Sequence, residues 1–381
     1  MHRTEGSDGA RVSVAFDATP LLGHPTGVGA FCAGALSGLS STAGVDVSAF
    51  AVSWRRRHGI EALVPRGVST RQRAMPARPL HFAWARAAFP PVEWFIHDHD
   101  VVHGSNYVVP PTSRAARVVT VHDLTVVLYP ELCYPPTLAF PALIRRAVGE
   151  GAWVHTPSRF VADQVVAELG VDPARVRAVH HGVPPLPATG AASPVLLPDG
   201  CHRYVLAVGT VEPRKDYPLL VAAFDQVAGD HPDVALVIVG QDGWGSERFI
   251  DAVAASPARS RIVRPGYLDD GALAATLRGA AVLAYPSVYE GFGFPPLQAM
   301  AASVPVVATA VGAIPEVIGD GALLVEPGDP SRLAGALDDV LGGGPDIDWL
   351  VARGLERCSG FTWERCGEEL AALYRDARGP T

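Results

Sequence analysis

The feature that most constrains this chain is its alternation of short, valine-rich apolar runs with longer amphipathic stretches, interrupted only once. Such alternation is the signature of βα units and parallel sheets. Before the interruption, residues 12–16, 45–52, 101–103, 118–122, 154–156 and 176–179 read as strands, and 28–39, 137–149 and 159–169 as helices. From 184 to 200 the chain is rich in Pro, Gly and Ala without a hydrophobic period, and reads as an interdomain linker. The alternation then restarts. Strands are expected at 204–208, 234–239, 261–264, 281–285, 306–308 and 322–325, and helices at 219–228, 247–255, 271–278, 295–302 and 331–341. The expectation is an α/β protein with two Rossmann-like, doubly wound domains facing a central cleft. The first spans 1–185 and the second 200–361; the helical tail 362–381 is placed to pack on the second domain or to cross back to the first. Ligands of such sheets collect at the C-terminal edges of the strands.

A length of 381 residues suits two domains rather than one core. An apolar fraction of 48% and a net charge of −8 describe a globular protein and disfavour a global nucleic-acid-binding role. No run approaches the roughly 18 apolar residues of a membrane span, and residues 1–10 lack the apolar core of a signal peptide. Cys32, Cys133, Cys201, Cys358 and Cys366 are scattered without a CxxC pair, which argues against a disulfide framework or zinc site and for a cytoplasmic compartment. The basic residues are arginines except for Lys215. In a chain biased toward arginine, a surviving lysine is there for its compact ammonium or by chance.

Four segments carry chemistry. In Tyr285 to Met300 a strand end leads into a loop with Glu290, Gly291 and Gly293, and Pro295 and Pro296 open a helix. Amides cluster on Phe292, Gly293, Phe294 and Leu297, and a helix N-terminus of this kind suits a diphosphate. Glu290 would instead accept bonds from sugar hydroxyls, and Gln298 lies one turn into the helix. The same residues also fit a Gly/Pro turn before a core helix, with Glu290 serving the helix dipole. In Val208 to Asp216 a strand delivers Arg214 and Lys215, two cations able to stabilise a leaving phosphate, or two solvated surface charges. Asp17 to Gly29 brings Gly27 and Gly29 into a βα loop without the dinucleotide spacing GxGxxG. Val119 to Leu124 places His122 and Asp123 at a strand end, where a satisfied core histidine is the ordinary explanation.

Together these motifs resemble glycosyltransferase family 4, a retaining family with the GT-B fold. Glu290 to Gln298 resembles its E-x7-E signature with glutamine at the second acidic position, and Gly209 to Asp216 looks like its G-x-x-x-x-R-K-[DN] element. The resemblance runs in order from about Val12 to Asp329. It implies that Glu290 sits near the transferred sugar and Gln298 meets the ribose without charge, at a cost of about 1 kcal/mol. It implies that His122 bonds the donor sugar and that Gly27 and Gly29 lie against the donor phosphate. Gln241, Tyr267 and Leu268 would embrace the base, largely through backbone atoms, and Gly209 would also bind the donor. His103, Asn106 and Asp123 would shape the acceptor pocket, and Ser158 and Arg159 resemble a family helix start.

The implied activity is retaining transfer of a hexose from a nucleotide sugar to a glycan or lipid-linked hydroxyl. The family members that share its TGVG, VHDL, GT-x-EPRK and EGFG-x-PP are mannosyltransferases using GDP-mannose, so the resemblance implies that donor. Arginine and lysine would do the electrostatic work of a metal, so neither a metal nor a cofactor is expected. Two alternatives stand beside this reading: another GT-B enzyme, such as an epimerase or phosphorylase, and a degenerate, non-catalytic protein that binds nucleotide or glycan, which Gln298 favours. Finally, eight arginines from Arg55 to Arg86 face one acid, Glu61, with Trp54, Phe82, Trp84 and Phe89 interleaved. This is a patch for anionic lipid at the inner face of a membrane or for a phosphorylated acceptor, or else a solvated, arginine-biased region.

Overall fold

The computed structural model describes residues 11–23, 26–84, 86–187, 195–344 and 346–380, so 188–194 of the expected linker and His24 and Pro25 of the Gly27 loop lie outside the described residues. The chain forms two compact units. One comprises residues 1–124, 139–182 and 362–381, the other 125–138 and 183–361.

The first unit holds a seven-stranded sheet of β1 (Val12–Asp17), β2 (Val45–Phe50), β3 (Ser69–Arg71), β4 (Val101–Gly104), β5 (Ala116–Thr120), β6 (Trp153–Thr156) and β7 (Val176–Ala178). Their spatial order is β3-β2-β1-β4-β5-β6-β7. The second unit holds β8 (Arg203–Val208), β9 (Val234–Val239), β10 (Ile262–Gly266), β11 (Val282–Tyr285), β12 (Val306–Thr309) and β13 (Leu323–Val325), ordered β10-β9-β8-β11-β12-β13. All these strand pairs are parallel. Strands such as β9 and β11 are buried along their whole length, as parallel strands covered by helices on both faces must be. In each sheet the winding reverses beside the first strand, between β1 and β4 and between β8 and β11. A crevice opens there at the strands' C-terminal ends.

The sequence expectation differs from the fold in instructive places. Strand β5 stops at Thr120, so His122 and Asp123 stand in the loop beyond it. Strand β3 is a polar edge segment, Ser-Thr-Arg, without an apolar run to announce it. The helix expected from 137 is a 3-10 turn over Pro135–Ala139 and becomes α-helical only at Phe140. Gly27 and Gly29 are in the first turn of the helix Gly27–Ser41, where the Thr26 side chain accepts from the Gly29 amide at 3.3 Å.

The C-terminal helix Trp363–Arg378 packs in the first unit against Gly27–Ser41. Close approach requires glycine on both sides. A Cβ on Gly34 would lie 2.0 Å from the Trp363 ring, and one on Gly38 would lie 1.9 Å from the Trp363 carbonyl oxygen. One on Gly367 would lie 2.4 Å from the Gly38 backbone. The helix thereby buries Cys366, Leu370, Ala371, Leu373 and Tyr374.

Candidate active site

In the second unit the two strands that flank the switch point end in the residues with the most chemistry. Strand β8 hands the chain to Gly209, whose φ of 150° disfavours any side chain. A Cβ there would sit 3.1 Å from both Lys215 Cε and the Tyr217 hydroxyl. A 3-10 turn, Pro213–Lys215, then turns into the helix Tyr217–Val227. Strand β11 ends at Tyr285, and its loop carries Ser287 and Glu290 to Gly293. Gly293, at φ 107° and with a potential Cβ 2.8 Å from Ile314 Cδ1, caps the helix Phe294–Ala301, which prolines open.

Arg214, Lys215 and Glu290 meet in one buried cluster. Lys215 Nζ donates to Glu290 Oε1 at 2.6 Å and to the Tyr285 hydroxyl at 2.9 Å. The Ser287 hydroxyl donates to the same carboxylate oxygen at 2.7 Å. Arg214 Nη1 lies 2.7 Å from Glu290 Oε2, and its Nη2 lies 2.6 Å from Glu212 Oε1. The backbones interlock as well: the Val288 amide donates to the Arg214 carbonyl at 2.8 Å, and the Ala313 amide to the Glu290 carbonyl at 2.9 Å. Glu212, Lys215 and Glu290 are only 8, 8 and 6% exposed. Burial pushes the Glu290 carboxyl up, but Arg214 and then Lys215 outweigh it and hold it at about 2. Burial pulls the Lys215 ammonium down, against the opposing pull of Glu290. Two cations and two carboxylates leave no net charge, which makes their burial tolerable. Cations beside a helix N-terminus are an arrangement for stabilising negative charge on a ligand.

The remaining residues of the second unit are distributed more widely. Phe292 is buried and packs edge-on to Phe294 at 5.4 Å and Phe361 at 5.8 Å, so its ring is core. Gln298 is half-buried in the helix opened by the prolines. Gln241 is exposed, with its carbonyl accepting from the Val211 amide at 3.0 Å. Tyr267 is 52% exposed and Leu268 half-buried. Glu212, Tyr285 and Ser287 gave no separate signal. Only the structure reveals that they hold Arg214, Lys215 and Glu290.

In the first unit His122 Nε2 donates to the Ser105 carbonyl at 2.8 Å, and Ser105 in turn donates to the Asp17 carbonyl at 2.6 Å. Burial lowers the His122 pKa, so the ring is held neutral with Nδ1 unprotonated. Asp123 is half-buried, its amide donated to the Tyr107 hydroxyl at 3.1 Å. Asn106 is half-buried in a tight bridge with Val108.

His103 corrects the sequence expectation. It is fully buried, and both ring nitrogens are engaged within the unit. Nδ1 meets the Tyr374 hydroxyl at 2.6 Å and Nε2 the Thr120 hydroxyl at 2.7 Å; Thr120 continues to His155 Nδ1 at 2.9 Å, and His155 Nε2 to the Val179 carbonyl at 3.3 Å. The carbonyl can only accept, which fixes the direction of the chain. His155 donates from Nε2, Thr120 donates to His155, His103 donates to Thr120, and Tyr374 donates to His103. No ring nitrogen of His103 is left for an acceptor sugar. Burial depresses His155 to about 3 and His103 well below its ordinary value, in keeping with neutral rings. Among the described residues, no group of three or more His, Cys, Asp or Glu is arranged to hold a metal.

Residues 25–185 match the family model described as Glycosyltransferase Family 4, and residues 192–347 match Glycosyl transferases group 1. The O-antigen chain mannosyltransferase B of Escherichia coli is 27% identical over 74% of this chain and 76% of its own length. The D-inositol 3-phosphate glycosyltransferase of Acidothermus cellulolyticus is 29% identical over 88% of this chain and 82% of its own. Anabaena HepE, solved in complex with UDP-glucose, aligns at a TM-score of 0.71 with 16% identity, over 95% of this chain and 98% of HepE.

Proposed function

Because the chain belongs to glycosyltransferase family 4 and has the GT-B fold, we propose that it moves a mannosyl residue from GDP-mannose, with retention, to a hydroxyl of a glycan or lipid-linked acceptor. That it is a glycosyltransferase working on a sugar or glycan acceptor follows from its family. The donor, the stereochemistry and the residue roles are the reading offered here.

The observation that carries it is the cluster of Arg214, Lys215 and Glu290 at the switch point of the second unit. The chain's sole lysine is spent there, with its Cε 3.1 Å from where a Cβ on Gly209 would sit. A diphosphate arriving at this point competes with Glu290 for both cations. Once the phosphates take them over, the Glu290 carboxylate is released to accept hydrogen bonds from the sugar. Arg214, Lys215 and the amides around Gly293 then stabilise the charge that builds on the leaving group as the anomeric bond breaks. His122 presents a neutral nitrogen toward the donor sugar, and the acceptor attacks from the leaving-group face. Gln241, Tyr267 and Leu268 border the base, and Gln298 the ribose. Asp123 and Asn106 border the acceptor. An acceptor carried at an anionic surface suits the arginine-rich segment 55–86.

A nucleotide-sugar panel read by thermal shift and hydrolysis tests this directly. Stabilisation by GDP and not by UDP is expected, about 3 kcal/mol at a hundredfold excess over Kd. A response to UDP alone moves the donor to the uridine class, which the HepE complex with UDP-glucose makes the second reading. No response to any nucleotide overturns the proposal. Retention is read from the anomeric configuration of the first product formed.

A further inference from the structure

Asp17, the last residue of β1, is a half-buried carboxylate that the proposed chemistry leaves without a task. It stands at the C-terminal end of the strand beside which the first sheet reverses its winding, between β1 and β4. The turn that follows occupies one of its oxygens. Oδ1 accepts from the Thr19 amide at 2.9 Å and from the Thr19 hydroxyl. That hydroxyl accepts from the Val52 amide at 2.8 Å, so its single hydrogen goes to Asp17. Oδ2 has no hydrogen-bond partner among the described residues. The Asp17 carbonyl accepts from the Ser105 hydroxyl at 2.6 Å, and the Ser105 carbonyl accepts from His122 Nε2 at 2.8 Å. These two bonds lace together the chain ends of β1, β4 and β5, with Ser105 as the one residue between Asp17 and His122.

A turn alone does not ask for a carboxylate. Asparagine would give Thr19 the same acceptor oxygen without a charge, whereas Asp17 stays ionisable where burial pushes its pKa up to about 6. The titratable groups that meet Ser105 are uncharged. Burial pushes the Cys32 thiol of the helix Gly27–Ser41 up to about 12, and it lowers His122 into its neutral form. Arg56 meets the far end of the turn, donating to the Leu22 carbonyl at 2.9 Å. A charged oxygen that can only accept, left open at a strand end, suits a hydroxyl that donates and repels a phosphate. We propose that Asp17 Oδ2 accepts a hydrogen bond from the acceptor substrate, and that the ring it meets is a neutral, hydroxyl-bearing sugar with no phosphate on that ring. The bond orients the nucleophile beside the donor sugar that His122 meets. The assignment rests on the transferase reading and adds the class of acceptor to it.

The test is Asp17→Asn in the full chain. Both Thr19 groups donate, so the asparagine turns its carbonyl to them and its NH2 outward: the turn stands, and the open acceptor becomes a donor. An ionised carboxyl whose pKa burial has raised opposes folding above that pKa, so the variant should be at least as stable in urea at neutral pH. Acceptors are the methyl glycosides of mannose, glucose, galactose and N-acetylglucosamine, set against an inositol phosphate. The donor is GDP-mannose, or UDP-glucose where the nucleotide panel selects uridine. The parent should use a neutral glycoside, and the variant's kcat/KM for it should fall about thirtyfold while the donor KM and the nucleotide thermal shift stay as in the parent. The parent's kcat/KM for the acceptor should drop as pH falls through about 6, and the variant should lack this limb. Where no glycoside is turned over, saturation-transfer NMR on the GDP-saturated chain decides, with glycoside binding expected in the parent and lost in the variant. Transfer or binding that the variant retains overturns the proposal, as does damage shared equally by the donor KM. So does use of the inositol phosphate with no glycoside accepted or bound, or a parent that binds none of the set. A thermal shift by nucleotide alongside any of these leaves the transferase reading standing, whereas the absence of that shift strikes the reading itself.

Discussion

Tyr374, His103, Thr120 and His155 of the first unit are buried as neutral groups in single file, whereas Glu212, Arg214, Lys215 and Glu290 of the second are buried as charges. In the neutral file every hydrogen has one acceptor, and the terminal carbonyl of Val179 dictates all the directions. Inserting a ligand would strand a donor, so this network can only build. The charged cluster has interchangeable partners, because a phosphate satisfies Lys215 and Arg214 as well as a carboxylate does. The same unfavourable act, burying polar groups, serves cohesion in one unit and, under the proposed function, ligand exchange in the other.

The sharpest break between the two is Lys215→Ala. It leaves Glu290 buried with one cation fewer, and it should cost roughly 3–5 kcal/mol in urea denaturation. Turnover should also fall about a thousandfold in steady-state assays. Turnover kept within tenfold of the parent would remove Lys215 from the chemistry. Acid should separate the two networks next. His155, held near 3, and His103, also depressed, refuse protons that the unfolded chain accepts below about 6.5. Their contribution is therefore whole above that pH and drains away as pH falls, at roughly 1 kcal/mol per pH unit for each ring. Glu290, held near 2 against an ordinary 4.5, loses its contribution only between those values. Urea midpoints should start to decline between pH 6.5 and 5, and a flat profile there would contradict the neutral file.

Smaller effects probe each network from within. Tyr374→Phe deletes the donor to His103 Nδ1 and should cost about 1–3 kcal/mol of stability while leaving kcat within a few-fold. A tenfold fall in kcat would show that the neutral file reaches the chemistry after all. Gln298→Glu adds a charge where the ribose is proposed to sit, and the KM for the nucleotide sugar should fall about fivefold, the equivalent of ~1 kcal/mol. An unchanged KM would place Gln298 away from the donor.

These networks were not equally legible in the sequence. Apolar alternation announces most strands, because burial on both faces leaves no room for polar residues. It misses Ser69–Arg71, whose edge position removes that demand. Glu290, Arg214 and Lys215 could be read as strand-end residues followed by turns and helices, since local order alone delivers them to the crevice. Glu212, Tyr285 and Ser287 could not, because their task is to hold those three side chains and only folding shows who touches whom. His103 misled for the same reason: its partner Tyr374 stands 271 residues away in the chain. A strand-end histidine looks identical whether it greets a ligand or a distant tyrosine.

The glycine-lined seat for Trp363 has a consequence for how the protein is made. The first unit needs Gly34, Gly38, Gly182 and Gly367 around that indole and its helix, yet this helix follows the whole second unit along the chain. The second unit has all its residues by Phe361. The first unit can thus close only after the chain of the second has been made, and until then the helix Gly27–Ser41 waits with an uncovered glycine face.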